Sequence, residues 1–237
     1  VYPSSDERPE NLLRVYIHFS APMRQGDSYR FVHLLDERGK PIELPFLELP
    51  EERWSSDGRR LTILFDPGRV KEGLKPREEE GPVLEAGKKY TLVIDAAWKD
   101  ADGLPLKEGF GKPFTATKAD RTQPDPAAWV IKAPPAGIRR ALVILFADSL
   151  DHGMLERVLE IRDANGQLVP GAVNISERET RWSFIPNEPW FAGSYSIRVP
   201  HTLEDWAGNS VGRPFEVDLD APPLAEPMDQ VVTFEVK

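Results

Sequence analysis

Two stretches of this chain say nearly the same thing at one constant separation. Phe19 and Phe146, Asp36 and Asp163, and Gly39 and Gly166 are each the same distance apart along the sequence. An offset held over such a span marks an internal repeat, and a repeat restricts the fold to two copies of one plan. Downstream the separation shrinks. "LFDP" (Leu64 to Pro67) aligns with "FIP" (Phe184 to Pro186), and "AGKKYTLVI" aligns with "AGSYSIRV" through Tyr90 and Tyr195. The first copy therefore carries extra residues in two loops. "GKPF" (Gly111 to Phe114) then matches "GRPF" (Gly212 to Phe215), which predicts that both units close on the same strand.

Within each copy the pattern is that of strands. In "LRVYIHFS" the residues Leu13, Val15, Ile17 and Phe19 alternate with Arg14, Tyr16, His18 and Ser20, placing the first set inside and the second toward solvent. "LTILF", "YTLVI", "ALVILF", "VLEIRD" and "YSIRV" are further short runs of aliphatic, β-branched and aromatic residues. The 23 prolines and 17 glycines are spread along the chain and cut it into segments of strand length. The two best helix candidates are "DHGMLERVLEI" and "PGRVKEGLKPREEEG", the latter interrupted by Pro76. Each unit reads as roughly seven short strands with regular turn signals, the pattern of an Ig-like sandwich. Leu84, Gly87 and Tyr90 have the spacing of a tyrosine corner, repeated one residue shorter by Trp190, Gly193 and Tyr195.

These readings predict an all-β chain of two tandem Ig-like β-sandwich domains. The first spans 1–118 and its repeat 119–220. Residues 221–237 form a C-terminal extension whose "VVTFEVK" reads as one more strand. A proline-rich junction, "KADRTQPDPAAWVIKAPPAG", joins the two and is stiff at short range.

"FSAPM", "LLDERGKPI", "LEAGKKYTLVI" and "DADGLPL" in the first unit, with "EIRDANGQLV", "FAGSYSIRV" and "LEDWAGNSVGRPF" in the second, resemble the bacterial Ig-like domains of S-layer and other cell-surface proteins. The second unit departs from that pattern at "FADSLDHGML", where Asp148 and Ser149 replace the Ala-Pro of the first. Such domains serve as spacers, adhesins and accessory modules of enzymes. The resemblance thus implies an exported chain, extracellular, periplasmic or on the cell surface, and a protein or glycan partner there.

Composition narrows the chemistry. With no cysteine, disulfides, zinc-thiolate sites and a Cys nucleophile are excluded together. A net charge of −9 without Lys/Arg clusters argues against nucleic acid. No apolar run is long enough to cross a bilayer, so no membrane insertion is expected. "KDADGLPL" crowds Asp100 and Asp102 against Gly103, with Asp95 upstream, and invites comparison with an EF-hand loop. Its first ligand position would then fall on Trp98 and its last on Gly109, and neither supplies a ligand. In the second copy Ala207 stands where Asp102 stood. The surviving chemistry is that of a hairpin turn, with Asp for an Asx-turn and Gly for positive φ. His18, His33, His152 and His201 share no metal-ligand spacing. "DSLDH" gathers Asp148, Ser149, Asp151 and His152, but a triad assembles in space from separate segments, so this reads as a loop or helix start capped by Asp148 or Ser149.

No catalytic residue, cofactor or metal is therefore expected, and the chain is read as a monomer. Of six tryptophans, Trp129 and Trp182 read as core or inter-domain residues. Trp54, Trp98, Trp190 and Trp206 lie in or beside loops and are the candidate binding residues, either stacking on sugar or anchoring a protein partner, or else capping the ends of the sandwiches. The loop Gly68 to Val83 is the one insertion large enough to be functional on size alone. A structural or adhesive module is the leading expectation. A carbohydrate-binding accessory module is the second, and an enzyme with a site between the two domains is the third.

Overall fold

The computed structural model describes residues 1–216 and 226–237, and the chain divides into two compact units, Val1–Asp120 and Arg121–Lys237. The first contains β1 (Glu7–Pro9), β2 (Arg14–His18), β3 (Val32–Asp36), β4 (Arg53–Trp54), β5 (Arg60–Leu64), α1 (Pro67–Val70), α2 (Lys75–Glu80), β6 (Lys89–Ile94) and β7 (Phe110–Thr117). Its two sheets run β1-β7-β6-β3 and β2-β5-β4. The second contains β8 (Val130–Lys132), β9 (Leu142–Leu145), α3 (His152–Leu155), β10 (Glu160–Arg162), β11 (Gly171–Ser176), β12 (Arg181–Pro186), β13 (Gly193–Val199) and β14 (Gln230–Val236), with sheets β10-β13-β14 and β11-β12-β9-β8. The chain is an all-β pair of Ig-like β-sandwiches, and no helix among the described residues is long and apolar enough to cross a membrane.

Alternation builds the cores. Val15, Ile17, Leu61 and Ile63 are at most 1% exposed and meet across β2 and β5, where Val15 stands opposite Ile63. The second unit repeats this with Leu142 opposite Phe184 and Ile144 opposite Trp182. Since Val15 and Leu142 hold the same place in the repeat, Ile63 corresponds to Phe184. The match of "LFDP" to "FIP" is therefore slipped by two residues. Tyr16, which alternation placed outside, is 5% exposed, with the Arg60 guanidinium 5.8 Å from its ring centroid.

The last strand of the second unit also departs from the sequence expectation. In the first unit Tyr90 of β6 lies opposite Phe114 of β7, with ring centroids 5.8 Å apart and nearly parallel. In the second unit Tyr195 of β13 lies opposite Phe234 of β14, with centroids 5.6 Å apart. Phe234, not Phe215, thus takes the place of Phe114. The "GRPF" segment forms no strand, and the residues read as an extension supply the strand that completes the sheet. Asp229 fixes where β14 begins. It accepts hydrogen bonds from the backbone N–H of His201 (3.0 Å), from Arg198 Nη2 (2.6 Å) and at His201 Nδ1 (2.8 Å). The His201 amide and ring, with the Arg198 charge, hold its carboxyl at about 2.

Both tyrosine corners form. The N–H of Glu85 donates to Tyr90 Oη at 3.0 Å, and Tyr195 Oη donates to the Phe191 carbonyl at 3.2 Å. Among the described residues α-helix is confined to three short pieces, with two single-turn 3-10 segments at Ser28–Arg30 and Pro126–Ala128. Pro76 does not break the insertion but sits in the first turn of α2, as its fixed φ and missing N–H permit. In α3 the N-cap is Asp151, whose Oδ1 accepts from Met154 N–H at 2.8 Å, in place of Asp148 or Ser149.

Candidate functional site

The acidic positions that recur between the copies perform one task four times. Asp36 Oδ1 accepts from the N–H groups of Arg38 and Lys40 at 2.9 and 2.8 Å. Asp100 does so from Asp102 and Leu104 at 3.0 and 2.9 Å, Asp163 from Asn165 and Gln167 at 2.9 Å, and Asp205 from Ala207 and Asn209 at 2.8 and 2.9 Å. Three residues after each Asp stands a glycine with φ between 76 and 87° (Gly39, Gly103, Gly166, Gly208), a region that a Cβ disfavours. Asp-x-x-Gly is thus a self-contained hairpin turn in which one carboxylate oxygen closes two backbone amides. Asp95 makes a smaller version, accepting from Ala97 N–H at 2.8 Å.

The tryptophan candidates divide. Trp98 is 0% and Trp190 2% exposed, so neither offers a face to a ligand. The Trp98 indole stacks on Phe31 with centroids 5.6 Å apart, meets Phe19 and Trp54 edge-on, and donates its N–H to the Arg24 carbonyl at 3.2 Å. Trp190 packs on Phe184, Tyr195 and Phe234 and donates to the Arg140 carbonyl at 2.8 Å. An indole at a loop can close the end of a sandwich when a backbone carbonyl there takes its N–H. Trp129 and Trp182 belong to the core of the second unit.

Trp54 and Trp206 remain partly exposed. Trp54 is held by Glu52, whose carboxylate accepts from the indole N–H (2.7 Å) and from the amides of Gly26 (2.9 Å) and Ser28 (2.7 Å). Partial burial opposes the charge on Glu52, and these donors outweigh it, keeping the carboxyl below its usual range. Trp206 sits inside the Asp205 turn.

The most exposed aromatic, Phe191 at 77%, was not among the candidates. A signal for it exists in the repeat: Trp190 matches buried Leu84, so Phe191 matches Glu85, a charged residue that must face water. Ile138, 44% exposed, is tied to the same corner, because its carbonyl accepts from Trp190 N–H at 3.2 Å.

The insertion Gly68 to Val83 is not a free loop. Val70 and Val83 are 2% and 3% exposed, and Arg69 is buried at 6%. The Arg69 guanidinium donates to the carbonyls of Gly81 (2.9 Å), Glu43 (2.8 Å), Leu44 (3.2 Å) and Pro82 (3.4 Å). Arg77 in turn donates to the carbonyls of Arg69 and Val70 at 3.1 and 2.9 Å. Arg69 ties the segment to Glu43 and Leu44 outside it, and Arg77 ties its second helix to its first.

In "DSLDH", Ser149 donates its hydroxyl to the Arg178 carbonyl at 2.7 Å and Asp151 caps α3. His152 lies 3.6 Å from Glu179 and 3.7 Å from Glu156. The Ser149 bond serves a strained turn, in which Glu177, Arg178 and Glu179 all take left-handed φ of 53, 58 and 60°. Leu150 N–H adds a bond to the Glu179 carbonyl at 3.3 Å. Ser149 is thereby a support for backbone, not a hydroxyl aimed at a histidine.

No family profile and no curated protein matches the sequence. Among solved structures, the chain is similar to native α2-macroglobulin from Escherichia coli spanning domains MG0-NIE-MG1, at 13% identity and a TM-score of 0.29, covering 94% of this chain and 66% of that one. It is similar to the S-layer protein rSbsC(31-844) at 13% identity and a TM-score of 0.31, covering 78% of this chain and 21% of that one. The titin domains Z1Z2 in complex with telethonin align at 13% identity and a TM-score of 0.26, over 94% of this chain and 85% of that one.

Proposed function

We propose that this chain is a non-catalytic structural or interaction module of an exported bacterial surface protein. One observation carries the reading: the positions shared by the two copies are all spent on structure. Tyr90 and Tyr195 close corners, Phe114 and Phe234 pack beneath them, and the four turn aspartates cap their own backbones. Catalysis needs a nucleophile, acid or base with an oriented partner, and the most suggestive cluster, around Ser149, is engaged in holding a turn. The copies differ in their loops, where scaffolds of this kind carry recognition. A glycan partner is a second reading, supported by Trp54, a partly exposed indole whose ring is already immobilised by Glu52.

Two readouts on the purified chain test this. Added to cells of the source organism, it is expected to bind the envelope saturably. Offered glycan, ester and peptide substrates, it is expected to release no product. Turnover lost on one Asp, Glu or His substitution that preserves the fold would overturn the proposal, as would absence of envelope binding.

A further inference from the structure

We infer that the second unit carries a pocket for a primary ammonium group, the lysine side chain of a partner protein. The inference rests on reading the chain as an interaction module, but the pocket itself is open to test without a partner. It is a cavity of about 200 Å³ within the second unit, below the size that takes a whole drug-like molecule and suited to one side chain. Trp129 and Phe146 line it, their rings 4.8 Å apart and inclined at 64°. Three carboxylates join them, those of Asp125, Asp148 and Asp205, and no lysine or arginine lines the cavity among the described residues.

The carboxylates are not equivalent. Asp205 is 2% exposed, with Oδ1 taken by two turn amides and Oδ2 by the Asn209 side chain at 2.8 Å, so it supplies field and not a free ligand atom. Asp125 uses Oδ1 to hold Ala127 N–H at 2.9 Å. Asp148 is exposed at the rim. An aromatic pair beside an anionic rim attracts an organic cation through both ring quadrupole and charge. The narrow cavity favours the compact ammonium on its flexible stem over a wide planar guanidinium. The repeat marks this place as a point of difference. Where the second unit has Asp148, the first has Ala21, so the rim charge is a departure from the shared scaffold.

The full chain, labelled with ¹⁵N, is titrated with n-butylammonium chloride and separately with n-butanol, its neutral counterpart. Butylammonium should shift the Trp129 indole signal and the amides of Ala147 and Asp148 saturably, and butanol about ten-fold more weakly. Asp148→Ala, which installs the residue of the first unit, should erase the difference between the two probes while leaving the spectrum dispersed. Equal response to both probes, a difference that survives Asp148→Ala, or the same signals moved by calcium chloride and not by butylammonium would overturn the pocket. Butylammonium binding without envelope binding would sustain the pocket and sink the module reading. Envelope binding without a butylammonium response would do the reverse.

Discussion

A chain ending at Asp229 is expected to leave residues 121–229 unfolded. The cut removes β14, which pairs with β13 over seven register positions and sends Phe234 and Val236, 7% and 2% exposed, into the core of the second unit. Emptying a Phe site alone costs about 3–5 kcal/mol. A domain holds only about 5–15 kcal/mol in total, so losing that site, the valine and the backbone ladder together exceeds what the unit can lose. The finer form of the prediction compares two phenylalanines. Phe234→Ala should destabilise the second unit by about 3–5 kcal/mol, and Phe215→Ala, at a partly exposed position outside any strand, by about 1 kcal/mol or less. Hydrogen exchange read peptide by peptide measures both. A truncated chain that keeps slow exchange in β9, β12 and β13 would show that β14 is an appendage.

Arg69→Ala should be nearly as damaging to the first unit. The guanidinium satisfies four backbone carbonyls from two segments, Glu43–Leu44 and Gly81–Pro82, at a buried position. Truncation leaves those acceptors unpaired and opens the place where Val70 and Val83 pack. The expected loss is about 3–5 kcal/mol, the usual consequence of breaking a buried charged network. Arg69→Lys should recover little of it, because one ammonium on a flexible stem cannot span carbonyls set for a planar fork. Urea denaturation followed by exchange in peptides from 40–90 gives the value. A loss below about 1 kcal/mol would mean that the insertion is dispensable and only laid on the surface.

The parts of this fold legible in the sequence were those governed by local rules. Strand periodicity, both tyrosine corners and the Asp-x-x-Gly turns depend on residues a few positions apart, and all appear in the structure. Errors arose where two solutions share a local pattern. Sliding β12 by two residues keeps every side chain on its face, so hydrophobic pattern alone cannot exclude the slip. "GRPF" imitates "GKPF" over four residues, whereas the true partner of Tyr195 stands further along the sequence and is recognised only by cross-strand pairing. Burial of Trp98 and Trp190 was illegible for another reason. A loop in sequence is defined by its neighbours along the chain, but an indole is buried by whatever distant segments bring over it, here Phe31 from the turn before β3 for one and Phe234 of β14 for the other. Arg69 carries no sequence signal, since its four acceptors are backbone carbonyls of residues with nothing else in common.

That the acidic positions shared by the two units serve folding and not chemistry is tested most directly by calorimetry of the full chain in EDTA and in excess calcium. With one oxygen of each turn aspartate already closing backbone amides, the melting temperatures should coincide. A calcium-dependent rise of several degrees, as a ligand bound only to the native state must produce, would contradict the reading and make the loop from Asp95 to Gly103 a metal site after all.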